Sequence, residues 1–293
     1  MSVDVLQPGL RRITAPNPSP MTFTGTQTYL LGEGDIVIID PGPLSDIHHD
    51  AILAALAPGE RIAGILVTHS HLDHAPLAAP LSATTGAKVL AAGPSDWGRS
   101  DVMQALAETG TLGGGEGVDA TFAPDEQIAE GDRISGSWGE IDVLETPGHM
   151  ANHLSFAWND VLFSGDLVME WSTSLVSPPD GDMSAFFASV ERLAQRDDRL
   201  FLPGHGAAVT TPRARCKALL EHRRGREAQI LQALAALGPA NAEDLAAQIY
   251  TDVAPELRPA AARNVLAHLI DLSQRGQITT TGPITADTSF QAG

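Results

Sequence analysis

Short blocks of apolar residues separated by turn-forming ones run through the first two hundred positions. Residues 28–31 and 35–39 are two apolar runs divided by Gly32-Glu33-Gly34, the pattern of a β-hairpin. The second run stops at Pro41-Gly42-Pro43, and residues 46–57 then carry a helical pattern up to Pro58-Gly59. Residues 62–68 read as a buried strand, 72–85 as an Ala/Leu-rich helix broken locally by Pro76 and Pro80, and 88–91 as a further strand. The signal weakens over 95–127, where 101–108 suits a helix and Gly110 to Gly117 forms a glycine-rich loop. Strands return at 141–145, 154–158 and 161–164, followed by an amphipathic helix at 184–196 and a strand at 200–202. Several strands are consecutive and few helices separate them. That mixture predicts an α/β fold of two packed sheets with helices outside, rather than one doubly wound sheet.

Beyond residue 212 the pattern changes. Residues 213–237 predict a long helix ending at Gly238-Pro239, and 242–250 and 259–276 two more, the last closed by a glycine cap. Residues 277–281, a turn at Gly282-Pro283 and the run from Ile284 onward predict a small β-ribbon. Helix, helix, helix, ribbon is the order of a winged-helix module, so two units are expected, 1–212 and 213–293.

Composition narrows the class. The 293 residues are 43% hydrophobic and 18% charged, which is globular, and long enough to bury a substantial core. No apolar run approaches the roughly 18 residues of a membrane span, so no membrane partner is expected. The N-terminus shows no basic segment leading into an apolar stretch. A single cysteine, Cys216, excludes a disulfide framework and any multi-cysteine metal site, and a cytoplasmic setting is expected. The net charge of −18 is uneven: residues 1–212 hold 9 basic and 28 acidic side chains, whereas 213–293 hold 9 and 8. An acidic surface of this kind repels polyanions unless cations invert the local field, so nucleic acid is not expected on the first unit.

Seven residues carry candidate chemistry: His69, His71, Asp73 and His74 in Thr-His-Ser-His-Leu-Asp-His, then His149, Asp166 and His205. A lone histidine at a strand end is ordinarily structural, and a lone aspartate after glycine is ordinarily a turn. Three histidines and an aspartate within six positions are a different matter. The cluster follows the strand ending at Thr68, where side chains two apart project to one side, so His69 and His71 suit one cation. Were the chain then to enter a helix, Asp73 and His74 would swing toward a second position. His149, Asp166 and His205 each follow a strand and a glycine, which lets the backbone turn tightly toward a buried site. Imidazole and carboxylate donors without thiolate favour zinc, with manganese and iron left open. Seven such donors suffice for two metal ions.

In this order the residues resemble the metallo-β-lactamase superfamily over most of residues 20–212. The resemblance implies a four-layer αββα sandwich with a two-metal site at one edge, for which two zinc ions are expected from the donor types. By that resemblance His69, His71 and His149 hold the first ion, Asp73, His74 and His205 the second, and Asp166 bridges. It also implies a hydroxide shared by the ions that attacks an electrophilic carbonyl or phosphorus, with Asp73 as the catalytic residue that orients it and passes its proton to the leaving group. Cys216 lies outside every motif, unlike the site cysteine of class B β-lactamases, and His71 stands where flavodiiron members carry Glu. Only 39 positions separate Asp166 from His205, too few for the insert of the RNA-processing β-CASP nucleases. Ser177-Pro-Pro-Asp-Gly-Asp-Met183, Leu202-Pro-Gly-His-Gly206 and Glu221-His-Arg-Arg-Gly-Arg-Glu-Ala-Gln-Ile230 resemble the subgroup typified by lactamase-β-like protein 2, whose members carry a winged-helix-like tail.

A small-molecule hydrolase acting on an ester, thioester or lactone is therefore expected, with a homo-oligomer left open. Two other classes compete: a single-strand-specific endoribonuclease of the subgroup's kind, and a DNA-binding regulator reading a groove through residues 259–273 with Arg263, Asn264 and His268. The acidic first unit speaks against the former and the alanine-rich helix against the latter. Among lesser features, His153 is either a contact behind the metal ligands or with the substrate, or an ordinary core or surface histidine. His48 and His49 are expected in solvent. Arg223, Arg224 and Arg226 are expected on a solvated helix face, or else as an anchor between the units. Trp97, Trp138, Trp158 and Trp171 are expected to pack, with Trp171 also placed to line a pocket mouth.

Overall fold

Alternation along single strands sorts the side chains into layers in the computed structural model, which describes residues 2–280 and 282–293. The first sheet runs β1 (Val3–Gln7), β2 (Leu10–Thr14), β3 (Gln27–Leu31), β4 (Asp35–Ile39), β5 (Arg61–Leu66), β6 (Lys88–Ala91) and β7 (Glu126–Gln127), each beside the next. The first four pair antiparallel, and β4 to β7 pair parallel. On β4, Ile36 and Ile38 pack with Ile52 of α1 (Asp46–Ala54) and Leu81 of α2 (Ala78–Thr85). The intervening Val37 and Ile39 face the other way, onto Leu154, Phe156 and Phe163. One strand therefore feeds two cores, as a period of two requires.

Helix α3 (Asp101–Thr109) leads toward the second sheet, which contains β8 (Arg133–Gly136), β9 (Gly139–Glu145), β10 (Leu154–Trp158), β11 (Val161–Gly165) and β12 (Leu200–Pro203) in the order β12-β11-β10-β9-β8. Its outer face, including Leu144, Leu162 and Phe201, packs on Phe186, Val190 and Leu193 of α4 (Met183–Leu193) and on Cys216 and Leu219 of α5 (Pro212–Leu237). Helix, sheet, sheet, helix is the αββα order expected.

Helix α5 does not stop at the edge of the sandwich. Its later residues Ile230, Ala233 and Leu234 join Leu245 of α6 (Ala242–Ile249), Val265 and Leu269 of α7 (Arg258–Gln274) and Met103 and Leu106 of α3. The C-terminal helices thus share a core with the sandwich. The ribbon pairs β13 (Ile278–Thr280) with β14 (Phe290–Ala292), so its second strand begins six residues beyond Ile284, and the expected end at residue 281 lies outside the described residues. Four strands were not anticipated, β1, β2, β7 and β8, whose mixed polar and exposed positions blur the alternation. Among the described residues no helix is long and apolar enough to cross a membrane.

Candidate metal centre

The helix expected from residue 72 begins only at Ala78. Pro76 disfavours the helical conformation at the residue before it and has no N–H to donate, so the chain coils through a turn first. In that turn the N–H groups of His74 and Ala75 both donate to the His71 carbonyl, at 2.9 and 3.0 Å. The turn, not a helix, aims Asp73 and His74 inward. The later donors arrive through glycines that have no substitute. A Cβ on Gly204 would stand 2.4 Å from both Asp166 Oδ1 and His74 Cε1, and one on Gly148 (φ 145°) would stand 2.4 Å from the Phe186 Cα.

All seven sequence-identified side chains converge. His71 Nδ1 lies 2.9 Å from His69 Nε2 and 3.0 Å from His149 Nε2. His74 Nε2 and His205 Nε2 are 3.3 Å apart, and Asp73 Oδ2 is 3.4 and 3.1 Å from them. Asp166 stands between the two groups, with Oδ1 3.5 Å from His74 Nε2 and Oδ2 3.3 Å from His205 Nε2 and 3.8 Å from His149 Nε2. The ligand atoms fall into three overlapping sets, His69/His71/His149, His69/His74/Asp166 and Asp73/His74/His205, each within 4.8 Å.

Which nitrogen faces the centre is set by what the other one does, taking the tautomers that satisfy the network. His69 Nδ1–H donates to Thr68 Oγ1 at 2.9 Å, and that hydroxyl donates to Asp40 Oδ2 at 2.7 Å. His74 Nδ1–H donates to the same Asp40 oxygen at 2.9 Å, His149 Nδ1–H to the Leu175 carbonyl at 2.6 Å, and His205 Nδ1–H to the Gly25 carbonyl at 3.3 Å. Each leaves Nε2 for the centre. Only His71 presents Nδ1. Asp40, the orienting carboxylate of this network, was not singled out in the sequence. Its available signal was an Asp-Pro-Gly turn closing an apolar strand that pairs with the one preceding His69.

His153 proves to be a contact behind the ligands. Its Nδ1–H donates to Thr146 Oγ1 at 2.9 Å, and its Nε2 accepts the Asp166 backbone N–H at 3.2 Å. One expectation is overturned and another is met by its alternative. His48 is buried, not solvated: it packs on Gly42, shares a 2.8 Å hydrogen bond with Thr28 Oγ1, and burial lowers its pKa to about 4. Arg223 is likewise buried, 1% exposed, with its guanidinium 5.0 Å over the Phe186 ring. It donates to the Ser174 carbonyl and to Asn264 Oδ1, and Ser174 Oγ donates to the Asp166 carbonyl. Arg223 is thus the anchor between the units, and burial lowers its pKa to about 10. Arg224 pairs with Glu191 on the surface, and Arg226 covers Tyr250. Trp171 stacks on Phe23 and packs against Gly206.

The electrostatics suit cations. Burial, then repulsion from neighbouring rings, holds His69 well below its ordinary pKa and His71 at about 3, and burial also lowers His149, so these rings are neutral donors. Burial opposes charge on His74 and His205 as well, but Asp73 and Asp166 outweigh it, lifting His74 well above its ordinary value and His205 to about 9. The two carboxylates, which burial alone would raise, are held low by those rings. Asp166 Oδ1 is buried and accepts no hydrogen bond among the described residues. Two buried carboxylates that demand positive charge, set among neutral imidazoles, are a donor set that fits divalent ions.

The centre opens into a cavity of about 430 Å³ lined by His71, Asp73, His149, Asp166 and His205 on one side and by Pro259, Ala260 and Arg263 of α7 on another. The 110–117 loop forms a further wall, tied down where Leu72 N–H donates to the Gly117 carbonyl at 2.7 Å and Gly115 N–H to Asp180 Oδ2 at 2.7 Å. A second cavity, of about 460 Å³ between α6 and α7, contains none of the seven donors. The three residues of α7 considered for groove reading face inward. Arg263 donates to Ser177 Oγ and the Leu112 carbonyl, Asn264 accepts from the Val176 N–H at 3.0 Å, and His268 is buried with neither ring nitrogen hydrogen-bonded among the described residues.

Comparison with known proteins agrees with this picture. Residues 21–205 match the family described as Metallo-beta-lactamase superfamily, and residues 242–284 match the Beta-lactamase associated winged helix domain. The chain is 30% identical over 275 residues to the Beta-lactamase-like protein 2 homolog of Drosophila melanogaster, covering 91% of this chain and 88% of that protein. It is 28% identical over 240 residues to the Atrochrysone carboxyl ACP thioesterase of Aspergillus fumigatus, covering 79% and 67%. Among solved structures, a metallo-beta-lactamase family protein from Thermus thermophilus shares the fold with a TM-score of 0.79 at 24% identity, covering 99% of this chain and 100% of that one.

Proposed function

This chain belongs to the metallo-β-lactamase superfamily of metal-dependent hydrolases, and we propose that it is a dinuclear zinc enzyme that hydrolyses small acyl esters, thioesters or lactones. The observation that carries the reading is the convergence of seven imidazole and carboxylate side chains at one end of a single cavity. His69, His71 and His149 would hold one ion, Asp73, His74 and His205 the other, and Asp166 both. When bound, such a pair of ions acidifies water and polarises the carbonyl under attack.

The chain's own residues supply the rest. Asp73 is the more open of the two site carboxylates, its side chain 26% exposed against 10% for Asp166, so it is the one that faces cavity water. Thr26 Oγ1 donates to its Oδ2 at 3.2 Å, and Thr26 is itself held by Asn17 at 2.9 Å, which fixes the carboxylate's direction. So oriented, Asp73 positions the attacking water and carries its proton toward the leaving group. Apolar lining from Met21, Val118, Leu175 and Pro259 suits an acyl chain. The likeness to a fungal ACP thioesterase favours thioesters among the acyl classes.

Nucleic acid fits less well. Residues 1–212 carry 9 basic against 28 acidic side chains, and backbone phosphates need Lys and Arg. The α7 helix has turned its candidate base-contacting residues into the protein. With one buried cysteine, the chain suits a reducing, cytoplasmic setting.

The test is a panel of N-acetylcysteamine thioesters, aryl esters, lactones and a single-stranded RNA oligonucleotide, each offered to zinc-loaded and to EDTA-treated protein. Acyl hydrolysis at least about 100-fold faster with zinc, and intact RNA, is the expected result, within the range that metal-assisted attack commonly supplies. RNA cleavage without acyl hydrolysis overturns the reading.

A further inference from the structure

We propose that Arg263, reaching from the C-terminal unit into the cavity, forms an anion subsite, so that the acyl substrate carries a negatively charged group apart from the bond that is broken. The proposal rests on the hydrolase reading above and narrows its substrate class.

Among the described residues lining the cavity, Arg263 is the one basic, non-histidine side chain. Its guanidinium is held in place by two neutral acceptors, Ser177 Oγ at 2.9 Å from Nε and the Leu112 carbonyl from Nη1, while Nη2 has no hydrogen-bond partner among the described residues. Arg11 ends on Glu60, Arg99 on Asp180 and Arg275 on Glu227, whereas Arg263, like Arg223 and Arg215, meets only neutral acceptors, and of these three it alone lines the cavity of the candidate site. The buried acid of the cavity wall is already engaged, since Asp180 Oδ1 accepts from Arg99 and Oδ2 from the Gly115 N–H, both at 2.7 Å. Glu116 and Glu256 are exposed. Burial opposes the charge on Arg263 and lowers its pKa, a shift that the charges of Glu116 and Asp180 only partly offset. A planar guanidinium with its stem fixed and a donor unspent is suited to a carboxylate or phosphate oxygen, through charge-assisted hydrogen bonds.

That oxygen has two sources, a carboxylate on the acyl portion or a phosphate on the thiol portion. Matched pairs separate them. In the first arm, glutaryl and pentanoyl thioesters of N-acetylcysteamine are hydrolysed by the zinc-loaded full chain. In the second, the pentanoyl thioesters of 4′-phosphopantetheine and pantetheine are compared. At least one pair is expected to show a preference for the charged member of about tenfold or more in kcat/KM, carried by KM. Arg263→Met is expected to bring that ratio to within about twofold of unity. A merely structural role would lower both members together and keep the ratio, which overturns the proposal, as does the lack of a preference in both arms. A binding measurement separates failure of the subsite from failure of the hydrolase reading. Glutarate and inorganic phosphate are titrated calorimetrically into metal-free protein and into Arg263→Met. Saturable binding that the variant loses supports the subsite even if no thioester is cleaved, and its absence for both probes overturns the subsite even if thioesters are.

Discussion

Replacing Asp73 with alanine is expected to lower kcat for an acyl substrate about a thousandfold, within the span attributed to positioned acid–base groups, while the protein stays folded. The folded state should survive because the turn around Asp73 is held by backbone bonds from His74 and Ala75 to the His71 carbonyl, not by the carboxylate. The side chain is also partly open to the cavity, so its loss leaves no sealed void. The chemistry should not survive, because Asp166 is more enclosed and lies among three imidazoles, where it has neither the room nor the direction to replace Asp73. Steady-state kinetics on the best thioester, with metal content measured on the same sample, decides the matter. Near-normal turnover with both ions retained would remove Asp73 from the mechanism.

A fragment ending at Pro212 is expected not to fold, although residues 1–212 contain all seven candidate donors. It lacks Cys216, Leu219, Leu220 and Ala267, which are packed into the layer formed by Phe186, Val190 and Phe201. It also uncovers Met103, Leu106 and Leu112, which are buried against α5, α6 and α7. Each leucine or methionine returned to water forfeits about 1.5–3 kcal/mol, so the loss is on the order of 10 kcal/mol, comparable to the whole stability of an ordinary domain. The fragment would further lose Arg223, and with it the donor to the Ser174 carbonyl behind Asp166. Soluble yield and a thermal melt compared with the full chain test this. A cooperative transition within a few degrees of the parent would show that the two units are independent.

The candidate metal donors were legible because their chemistry is written in residue type: few sequences place three histidines and an aspartate in six positions for packing alone. The strands β4, β10 and β11 were legible for a different reason, since buried runs such as Asp35–Ile39 and Leu154–Trp158 are nearly all apolar. What stayed hidden depends on contacts between distant segments. Asp40 looks like any turn aspartate until β4 is laid beside β5 and its carboxylate meets Thr68 and His74. His48 sits in a polar-looking helix start, yet the Thr28 hydroxyl and Gly42 enclose it. Arg223 reads like Arg224, and only the position of Phe186, Ser174 and Asn264 separates a buried strut from a surface charge. The inward aim of α7 was hidden for the same reason, because an amphipathic pattern tells which face is buried but not against what.

Catalysis of this kind requires that the 293-residue chain retain a pair of divalent ions. Crystals grown with zinc, measured on both sides of the zinc absorption edge, answer this most directly. Two anomalous peaks are expected, one against His69, His71 and His149 and one against Asp73, His74 and His205, with Asp166 touching both. A map without anomalous density among these side chains, from protein saturated with zinc at neutral pH, would contradict it.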